Sequence, residues 1–534
     1  MKKDFLTFIL CFVFVFEISA QTKKFDWGKS EYTGRPWIEN TSRPNTITDG
    51  LNDRHFSIWS SHGRYYDVNK GYWKWQRPNL FGTTEDLYTQ TIVIPYLLPM
   101  LENAGAVVIS PRERDWQKQE VIVDNDNPKI TGIISYNEVN NKKKWETIEG
   151  SGFAYHQGTY ADGENPFIAG SARKIKSRKR NSKLSYVAYQ PNIPEDGDYA
   201  VYVSYKTIKK SVDDAEYIVF HKGQETHFRV NQQMGGGTWV YLGTFAFDKG
   251  CNIFNRVILT NHSKHRGVVT ADAVRFGGGM GNIARGGQIS GLPRALEGAR
   301  YYTQWAGAPR DVVSKSNGTN DYNDDINSRS LYTNWLAGGS SYIPKKEGLK
   351  VPIELVLAVH SDAGVKADGT TVGTLSICTT QQGNPTFGNG LSRRTSQTFA
   401  SQLITNAKRD IEYIFKKPWN TRGVKDANYS ETRLPDVPSS IIETLSHQNF
   451  ADMKFGQDPN FKFTLARSIY KTILRYTASL HNKACIVQPL APDNFRMEYI
   501  SKNKIRLRWN EVNDPLEPTA KPTSYNIYMA TGTS

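Results

Sequence analysis

The 534-residue chain is predicted to be an α/β protein whose mostly parallel sheet is covered by helices, with an inserted all-β sandwich and a partial β-sandwich at the C-terminal end. Three observations support this prediction. Short apolar strands alternate with amphipathic helices over residues 21–117 and again over 289–484. Between these parts lies a stretch of short, regularly spaced strands with turn signals. A further β-prone segment begins near residue 485.

The best-defined element is the apolar run over residues 351–359, which leads into His360 and then a small, turn-prone tail. The run predicts a buried strand, and residues 361–364 predict the loop that ends it. We therefore expect His360 at the carboxyl end of a strand. Ligands of open α/β sheets bind at that edge, so an imidazole there is placed to hold a metal or move a proton. A purely structural histidine is the alternative interpretation.

A second strand, over residues 55–59, leads into His62 in the same way. The helix that follows is predicted from apolar residues at helical spacing between 87 and 101. Thr83 or Thr84 is placed to cap this helix, and Glu85 falls in its first turn. Two prolines at positions 95 and 99 predict a kink or a break.

Glu443 is a further ionisable group that follows a short β-prone run, residues 438–442. Two histidines and one carboxylate are the usual three protein ligands of a catalytic zinc, and a second carboxylate can serve the attacking water as a base. Taken alone, Glu443 is more readily a surface carboxylate. The four-part pattern is more specific than any of its parts.

The blocks that carry these residues resemble the zinc-dependent N-acetylmuramoyl-L-alanine amidases of the amidase_3 type: SSHG, TTEDLYTQTIVIPYLLPMLENAGAVVISPRERD, VLAVHSDAG, TRGVKDANYSETRLPDVPSSIIETLSHQNFADM and PNFKFTLARSIYKTILRYTA. The resemblance implies that His62, Glu85 and His360 hold Zn²⁺. It implies that Glu443 is the catalytic carboxylate. The implied reaction is hydrolysis of the amide between N-acetylmuramic acid and L-alanine, with peptidoglycan or muropeptides as substrate.

The chain departs from the family in two blocks. The family's first block usually reads Asp-Pro-Gly-His-Gly-Gly, whereas residues 59–64 read Trp-Ser-Ser-His-Gly-Arg. The family's asparagine two residues after the second histidine is Asp362 here. Arg422 matches the family's Arg-Gly before the last strand. Arg64, Asp362 and Arg422 are the predicted substrate contacts.

Residues 1–20 have the layout of a secretory signal peptide, with two lysines, an apolar stretch from 5 to 16 and a small residue at Ala20. The apolar stretch is too short to span a membrane, and no later segment approaches the roughly 20 apolar residues of a span. We therefore expect an exported chain, in the periplasm, at the cell surface or outside the cell, without a transmembrane segment. The three later cysteines are too few and too scattered for a disulfide framework.

The formal net charge of +15 favours partners that are polyanions, and anionic glycans of bacterial envelopes are such partners. Nucleic acid is the rival partner. The densest basic run, residues 173–180, lacks interleaved aromatic residues and any surrounding nucleic-acid motif. We interpret it as a solvated loop and expect no nucleic-acid partner.

Five aromatic residues fall in an irregular segment after the first histidine, predicted as a loop: Tyr65, Tyr66, Tyr72, Trp73 and Trp75. Such a cluster either stacks on sugar rings beside the metal or forms a small satellite core under a long loop. Both interpretations stay open at this point.

Residues 118–288 are β-rich, with strands predicted over 199–205, 215–221, 226–230, 238–247 and 256–261. The run GGGTWVYLGTFAFDKGCNIFNRVILTN, followed by VVTADAVRFGGG, resembles the golvesin C-terminal-like domain, which also occurs in proteins labelled xanthan lyase. The resemblance implies a β-sandwich inserted into the amidase core.

The α/β pattern resumes over residues 289–484, with helices predicted over 324–335, 398–415 and around 465–474. After residue 485, predicted strands at 505–509 and 524–528 resemble the opening of a fibronectin type III domain, with Trp509 as its core tryptophan. The expected organisation is therefore a signal peptide (1–20), a first core part (21–117), an inserted β domain (118–288), a second core part (289–484) and a partial fibronectin-like domain (485–534).

Two other functions are compatible with the sequence. A polysaccharide lyase, as the xanthan-lyase label implies, needs a Tyr or His base with an Arg or Asn neutraliser, and no such set is evident outside the zinc blocks. An inactive protein that keeps the fold to bind cell-wall glycan is the second alternative, because the first histidine loop is altered. Metal content separates both from the amidase.

Overall fold

The structure is a computed structural model that describes residues 26–126 and 135–528, so the predicted signal peptide lies outside the described residues. The strands are, in chain order, β1 Ile38–Asn40, β2 His55–Ser60, β3 Tyr65–Asp67, β4 Tyr72–Lys74, β5 Val107–Ile109, β6 Val121–Val123, β7 Ser135–Val139, β8 Glu146–Gly152, β9 Gly170–Lys176, β10 Tyr186–Gln190, β11 Gly197–Val203, β12 Ala215–His221, β13 Gln224–Val230, β14 Val240–Phe247, β15 Arg256–Thr260, β16 Val268–Ala271, β17 Val274–Phe276, β18 Leu355–Asp362, β19 Thr374–Cys378, β20 Thr421–Asp426, β21 Ser439–Ser446, β22 Asp493–Ser501 and β23 Lys504–Asn510. The α-helices are α1 Glu85–Ile92, α2 Leu98–Asn103, α3 Ala299–Trp305, α4 Arg310–Val313, α5 Asp321–Ala337, α6 Arg394–Phe415, α7 Ser430–Arg433, α8 Phe450–Gly456 and α9 Pro459–Leu480.

The α/β part is built on a sheet with the strand order β20-β19-β21-β18-β2-β5 in the described residues. Four of its five pairings are parallel, and β19 pairs with β21 in the antiparallel direction. Helix α6 packs on β19, β20 and β21, while α1 contacts β2 and β18. The central strands β2, β18, β19 and β21 are buried on both faces, which is why the first five residues of β18 are a continuous apolar run, whereas the edge strand β20 is mostly exposed. The prediction of a mostly parallel, helix-covered sheet is confirmed.

The strand that carries His360 is longer at its end than predicted. It begins at Leu355 rather than near 351 and extends through Asp362, so His360 lies within it. Its parallel neighbour β21 also continues beyond the predicted end, to Ser446, and the register of the pair places Glu443 opposite His360. Glu443 is therefore in the middle of a strand, not at its end. The polar residues at the ends of both strands predict loops, but backbone pairing between β18 and β21 keeps these residues in the sheet.

The first helix begins and bends where the sequence predicts. The Oγ1 of Thr84 accepts a hydrogen bond from the backbone N–H of Leu87 at 3.3 Å, which caps α1. A π-helical segment, Val93–Leu97, separates α1 from α2. Pro95 lies within it, and because proline lacks the N–H that an α-helical turn needs, the wider turn is the local adjustment.

The aromatic segment after His62 is a hairpin of β3 and β4, so the prediction of an irregular loop is wrong. Trp73 is buried, and its ring centroid lies 4.6 Å from that of Tyr301 and 5.9 Å from that of Tyr66. Tyr72, in contrast, is 48% exposed. Strands of three residues are too short to show a period-two pattern in the sequence. Tyr65, Tyr66 and Trp73 belong to the main hydrophobic core rather than to a satellite core, and Tyr72 stays accessible.

The β-rich part forms, in the described residues, three antiparallel sheets with the orders β1-β13-β12-β15-β10-β7, β14-β11-β17-β6 and β16-β9-β8. The five predicted strands correspond to β11 through β15. One element was placed in the wrong part, because β1, from the predicted first core part, pairs with the edge of β13. An edge strand offers unpaired backbone groups that a distant segment can satisfy, and sequence spacing does not reveal this.

The basic run is only partly the solvated loop that the sequence predicts. Its first half belongs to β9, where Arg173 Nε lies 2.6 Å from Glu138 Oε1. Lys179 and Arg180 follow the strand and are exposed. Within β9, Ala172 and Ile175 are buried, Arg173 and Lys174 are half-buried and Lys176 is exposed.

The C-terminal part contains, within residues 485–528, one two-stranded sheet of β22 and β23. The predicted strand at 505–509 is part of β23, whereas 524–528 is not a strand. Trp509 is half-buried, and its ring centroid lies 5.2 Å from that of Tyr525. A hairpin thus takes the place of the predicted partial sandwich, because the apolar side of two strands alone cannot be covered.

In the described ranges, no helix has both the length and the apolar character required to cross a membrane. Three cysteines in these ranges, Cys251, Cys378 and Cys485, are free thiols.

Candidate active site

A cavity of about 170 Å³ lies where the residues after β2, the start of α1, the end of β18 and the middle of β21 meet. It is lined by His62, Arg77, Glu85, Tyr322, Ile326, His360, Ser361, Asp362, Ala363, Tyr429, Ser430, Glu431, Ile441 and Glu443. All four residues of the predicted zinc and catalytic set are among them. The cavity lies at the edge of the sheet where parallel strands bring their following residues together.

Three of these side chains converge on one point. His62, Glu85 and His360 each offer a donor atom, and these atoms lie within 4.8 Å of one another. His360 Nδ1 is 2.9 Å from Glu85 Oε1, and His62 Nδ1 is 3.6 Å from Glu85 Oε2. The two imidazole centroids are 4.9 Å apart. None of the three residues exceeds 6% exposure.

The loop that carries His62 is held by the first turn of α1. Asp86 Oδ1 accepts a hydrogen bond from the backbone N–H of His62 at 3.0 Å and another from Ser61 Oγ at 3.3 Å. Ser61 Oγ also lies 2.7 Å from Thr89 Oγ1. The serine that replaces the family's glycine thus has a supporting role. Asp86 was missed by the sequence analysis, although its position beside Glu85 at a helix start was a usable signal.

The charges in this group compensate one another. Burial raises the pKa of the Glu85 carboxyl, but His62 and His360 lower it by more than burial raises it. The pKa of Glu85 therefore lies below the usual value. Burial alone lowers the pKa of His360, and Glu431 and Glu85 more than reverse this, so that its pKa lies well above the usual value. The carboxylates therefore favour positive charge at the point where the donors converge.

The donor set fits a zinc ion. His62 Nδ1 is a buried nitrogen without a hydrogen-bond partner within the described part of the chain, although it faces two carboxylates. Two imidazole nitrogens and one carboxylate oxygen are the ligands of many catalytic zinc sites, which keep a further position open. The residues present could hold Zn²⁺ without a change in their number or type.

Glu443 borders the cavity next to the donor group, because β21 and β18 are paired at His360. Burial, together with the charges of Glu85 and Asp362, raises its pKa to about 8, against the lowering effect of His360. Its Oε2 is buried and lacks a hydrogen-bond partner among the described residues. A carboxyl group with a pKa near neutrality can both take up and release a proton during a reaction.

Glu431, on the short helix α7, is a cavity residue that the sequence analysis missed. Its Oε2 lies 3.0 Å from His360 Nε2. Its Oε1 accepts hydrogen bonds from Trp59 Nε1 at 2.6 Å and from the Arg329 guanidinium at 3.0 Å. Burial raises the pKa of Glu431, but His360 and Arg329 lower it well below the usual range. Glu431 belongs to a polar segment without periodicity, so only its closeness in sequence to the strand of Glu443 pointed to it.

Of the three predicted substrate contacts, Asp362 lines the cavity, whereas Arg64 and Arg422 do not. Asp362 lines the cavity and forms an ion pair with Arg422, and both side chains are one-third exposed. Arg64 does not line the cavity, and its guanidinium donates to the backbone carbonyl of Trp73 at 3.0 Å instead. Arg77 lies at the cavity in its place, with Nε 3.5 Å from Glu85 Oε2.

The comparisons with known proteins match separate parts of the chain. Residues 154–278 match the family described as the Golvesin C-terminal domain, which confirms the resemblance of the β-rich part. A xanthan lyase from Bacillus sp. (strain GL1) is 34% identical over 92 residues, which are 17% of this chain and 10% of that protein. This chain therefore spans about a tenth of the length of that relative.

Two solved structures show local likeness. That of Paenibacillus xanthan lyase is 24% identical with a TM-score of 0.22, and the match covers 30% of this chain and 13% of that one. That of the N-acetylmuramoyl-L-alanine amidase from Clostridium difficile 630 is 14% identical with a TM-score of 0.19, and the match covers 24% of this chain and 59% of that one. The residues of the candidate site all lie outside the golvesin match.

Proposed function

We propose that this chain is an exported, zinc-dependent hydrolase that cleaves the amide bond between N-acetylmuramic acid and L-alanine in peptidoglycan or muropeptides. The observation that carries the proposal is the convergence of His62, Glu85 and His360 beside Glu443. The substrate is taken from the resemblance of the sequence blocks around these residues. Peptidoglycan, other anionic glycans of the envelope and a location outside the cytoplasm belong to the same proposal.

Each side chain has a role that follows from its position. His62, Glu85 and His360 would hold Zn²⁺, which when bound supplies a Lewis acid for the scissile carbonyl. Glu443 takes a proton from the attacking water and gives it to the leaving amine, because it is the carboxyl group at the cavity, outside the donor set, whose pKa is raised, whereas the pKa values of Asp362 and Glu431 are lowered. Asp362 and Arg77 border the same cavity and are placed to contact the substrate.

The two alternatives receive less support. The match to xanthan lyase covers a tenth of that protein, and the golvesin match, residues 154–278, contains no residue of the candidate site. An inactive glycan-binding protein does not need a carboxyl group with a raised pKa beside three metal donors. Both alternatives predict a chain that does not free the amino group of L-alanine from muropeptides.

The first experiment measures the zinc content of the purified mature chain by elemental analysis. Amide release from muropeptides is followed before and after treatment with a chelator. We expect about one zinc per chain and release that stops on chelation and returns with added Zn²⁺. A zinc-free chain without release would contradict the proposal, and so would a zinc-loaded chain that binds peptidoglycan without cleaving it.

Two variants separate metal binding from proton transfer. His360→Ala removes a donor, so we expect loss of zinc together with loss of activity. Glu443→Gln keeps the size of the side chain, so we expect unchanged zinc content and a kcat lowered by about 10²- to 10⁴-fold, the usual contribution of a general base. Near-normal turnover by the zinc-loaded Glu443→Gln variant would exclude the proposed role of Glu443.

A further inference from the structure

Two phenylalanines lie side by side on the surface next to the candidate site. The ring centroids of Phe81 and Phe450 are 5.7 Å apart, and the two residues are 44% and 60% exposed. Phe81 precedes Glu85 by four residues. Phe450 follows His447 by three residues, and His447 Nδ1 lies 3.1 Å from Oγ of the cavity residue Ser361. The two rings, called the aromatic shelf below, therefore lie on segments that lead into the cavity without lining it.

Phe81 has a backbone conformation that aromatic residues rarely adopt. Its φ is 52°, in the left-handed region, and the φ of Gly82 is 76°. The Leu80 N–H donates to the Thr83 carbonyl at 2.8 Å, and the Thr83 N–H donates to the Leu80 carbonyl at 3.1 Å. Phe81 and Gly82 are thus the central residues of a tight turn, a position that favours asparagine followed by glycine. A phenylalanine there strains the backbone, and strained residues cluster at sites that hold ligands.

The size and the surroundings of the aromatic shelf fit a sugar ring. Its two side chains expose about 200 Å² together, whereas a stable protein interface needs about 800 Å² on each partner. Lys454 Nζ lies 4.7 Å from the Phe450 ring centroid, and Gln457 Nε2 donates to the Phe81 carbonyl at 3.2 Å. Both polar residues are exposed. The C–H bonds on one face of a sugar suit the negative face of an aromatic ring, and its hydroxyl and amide groups suit polar neighbours.

We propose that the aromatic shelf binds a sugar of the peptidoglycan glycan strand, outside the cavity in which the amide is cleaved. The inference rests on the proposed function in taking peptidoglycan as the substrate. When the lactyl amide of one muramic acid enters the cavity, the neighbouring sugars of the strand stay outside and extend along the surface. The shelf thus favours glycan strands over free stem peptides, and this contact is the role of the strained residue Phe81.

The test measures binding of short, peptide-free peptidoglycan oligosaccharides to the full chain by titration calorimetry. We expect Phe81→Asn and Phe450→Ala each to weaken this binding by about 2- to 10-fold, the usual effect of losing one aromatic contact. Because asparagine suits the turn, Phe81→Asn is also expected to raise the melting temperature, by about 1–3 °C. A gain in stability together with a loss of affinity is not expected from a residue that only supports the fold.

Two matched controls are available elsewhere in the chain. Lys183 is an exposed residue with a φ of 56°, so Lys183→Asn relieves the same kind of strain away from the shelf. It is expected to raise the melting temperature and leave glycan binding unchanged. Phe495, on β22, is 64% exposed. Phe495→Ala removes an equally accessible ring and is expected to bind the oligosaccharides as the wild type does.

The outcomes are distinguishable. Wild-type affinity in both shelf variants would overturn the inference, and so would a wild-type chain that binds no peptide-free oligosaccharide. A lower melting temperature of Phe81→Asn would show that the ring holds the turn together and would overturn it as well.

Vesicles of anionic phospholipid are the second probe. If the shelf substitutions weaken vesicle binding and leave glycan binding unchanged, the shelf faces a lipid surface and the inference is overturned. If they weaken glycan binding while the wild type cleaves no muropeptide, the shelf is supported and only the proposed function fails.

Discussion

Three buried glutamates show how the surroundings of a carboxyl group set its pKa. The pKa of Glu85 is lowered because two histidines outweigh its burial, and that of Glu443 is raised to about 8 because burial dominates. Glu297, outside the cavity, is 1% exposed, and its burial raises the pKa to about 7 although Ser290 and Arg294 lower it. Glu297 therefore lowers the stability of the fold at neutral pH.

This effect predicts a pH dependence. The pKa of Glu297 is higher in the folded than in the unfolded chain, so the folded state binds the proton more tightly. Stability from this group is complete below about pH 4.5 and is lost as the pH rises to 7, by an amount of the order of 3 kcal/mol. We expect Glu297→Gln to lose less stability than the wild type between pH 5 and pH 8.

Denaturant unfolding of both proteins at the two pH values measures this difference. Glu149→Gln, which changes an exposed glutamate of the same chain, is the control and is expected to follow the wild type. Parallel pH profiles of the Glu297→Gln variant and the wild type would show that Glu297 ionises normally in the folded protein.

At the scale of elements, the hairpin of β3 and β4 connects the loop of His62 to helix α3. It follows His62 directly and packs on α3 through Trp73 and Tyr301. The Trp73 indole N–H donates to the carbonyl of Gln288 at 3.3 Å. The hairpin is thus anchored to the residues that end the β-rich part, and the buried rings of Tyr65, Tyr66 and Trp73 pack in the core.

This packing predicts that Trp73→Ala lowers stability by about 3–5 kcal/mol, since a large buried side chain is lost. Tyr72→Ala changes the exposed aromatic residue of the same hairpin and is expected to cost less than about 0.5 kcal/mol. Thermal unfolding followed by near-ultraviolet circular dichroism measures both. A stable Trp73→Ala variant with weakened muropeptide binding would instead favour sugar stacking.

At the scale of the whole molecule, the β-rich part and the α/β part share buried contacts. Arg300 is fully buried and contacts Asp321 Oδ2 at 3.0 Å and Asp162 Oδ1 at 2.7 Å, and Asp162 belongs to the β-rich part. Trp37 donates to Tyr205 OH at 2.6 Å, and its backbone N–H donates to His55 Nε2 at 3.0 Å. These contacts are charged or hydrogen-bonded and buried, so neither part is complete without the other.

We therefore expect a single calorimetric unfolding transition for the two parts. Arg300→Met should lower stability by about 3–5 kcal/mol, because it leaves the buried Asp324 without a cationic partner among the described residues and Asp321 with Arg285 alone. Arg310→Met is the control, since Arg310 is 3.8 Å from the same Asp162 but its side chain is 49% exposed. Two separate transitions, or equal effects of both substitutions, would contradict this interpretation.

Much of the fold could be predicted because it follows local patterns. The strand of His62, the capped helix of Glu85 and the strands β11 to β15 each appear in the sequence as a period, a cap or a turn signal. The site residues His62, Glu85, His360 and Glu443 were predicted from the ends of such elements. The structure brings these four residues together at one cavity.

The sequence by itself determined the strands and helices that carry apolar periodicity or a cap, such as β11 to β15 and α1, because these signals act between residues close in the chain. Only the tertiary structure decided which strands and side chains contact one another across long distances in the sequence. It added β1 to the sheet of the β-rich part, placed Glu443 beside His360 and brought Glu431 to the far side of the same imidazole. These contacts depend on strand register and on buried charge, which no local pattern encodes, and they determine what the site can bind.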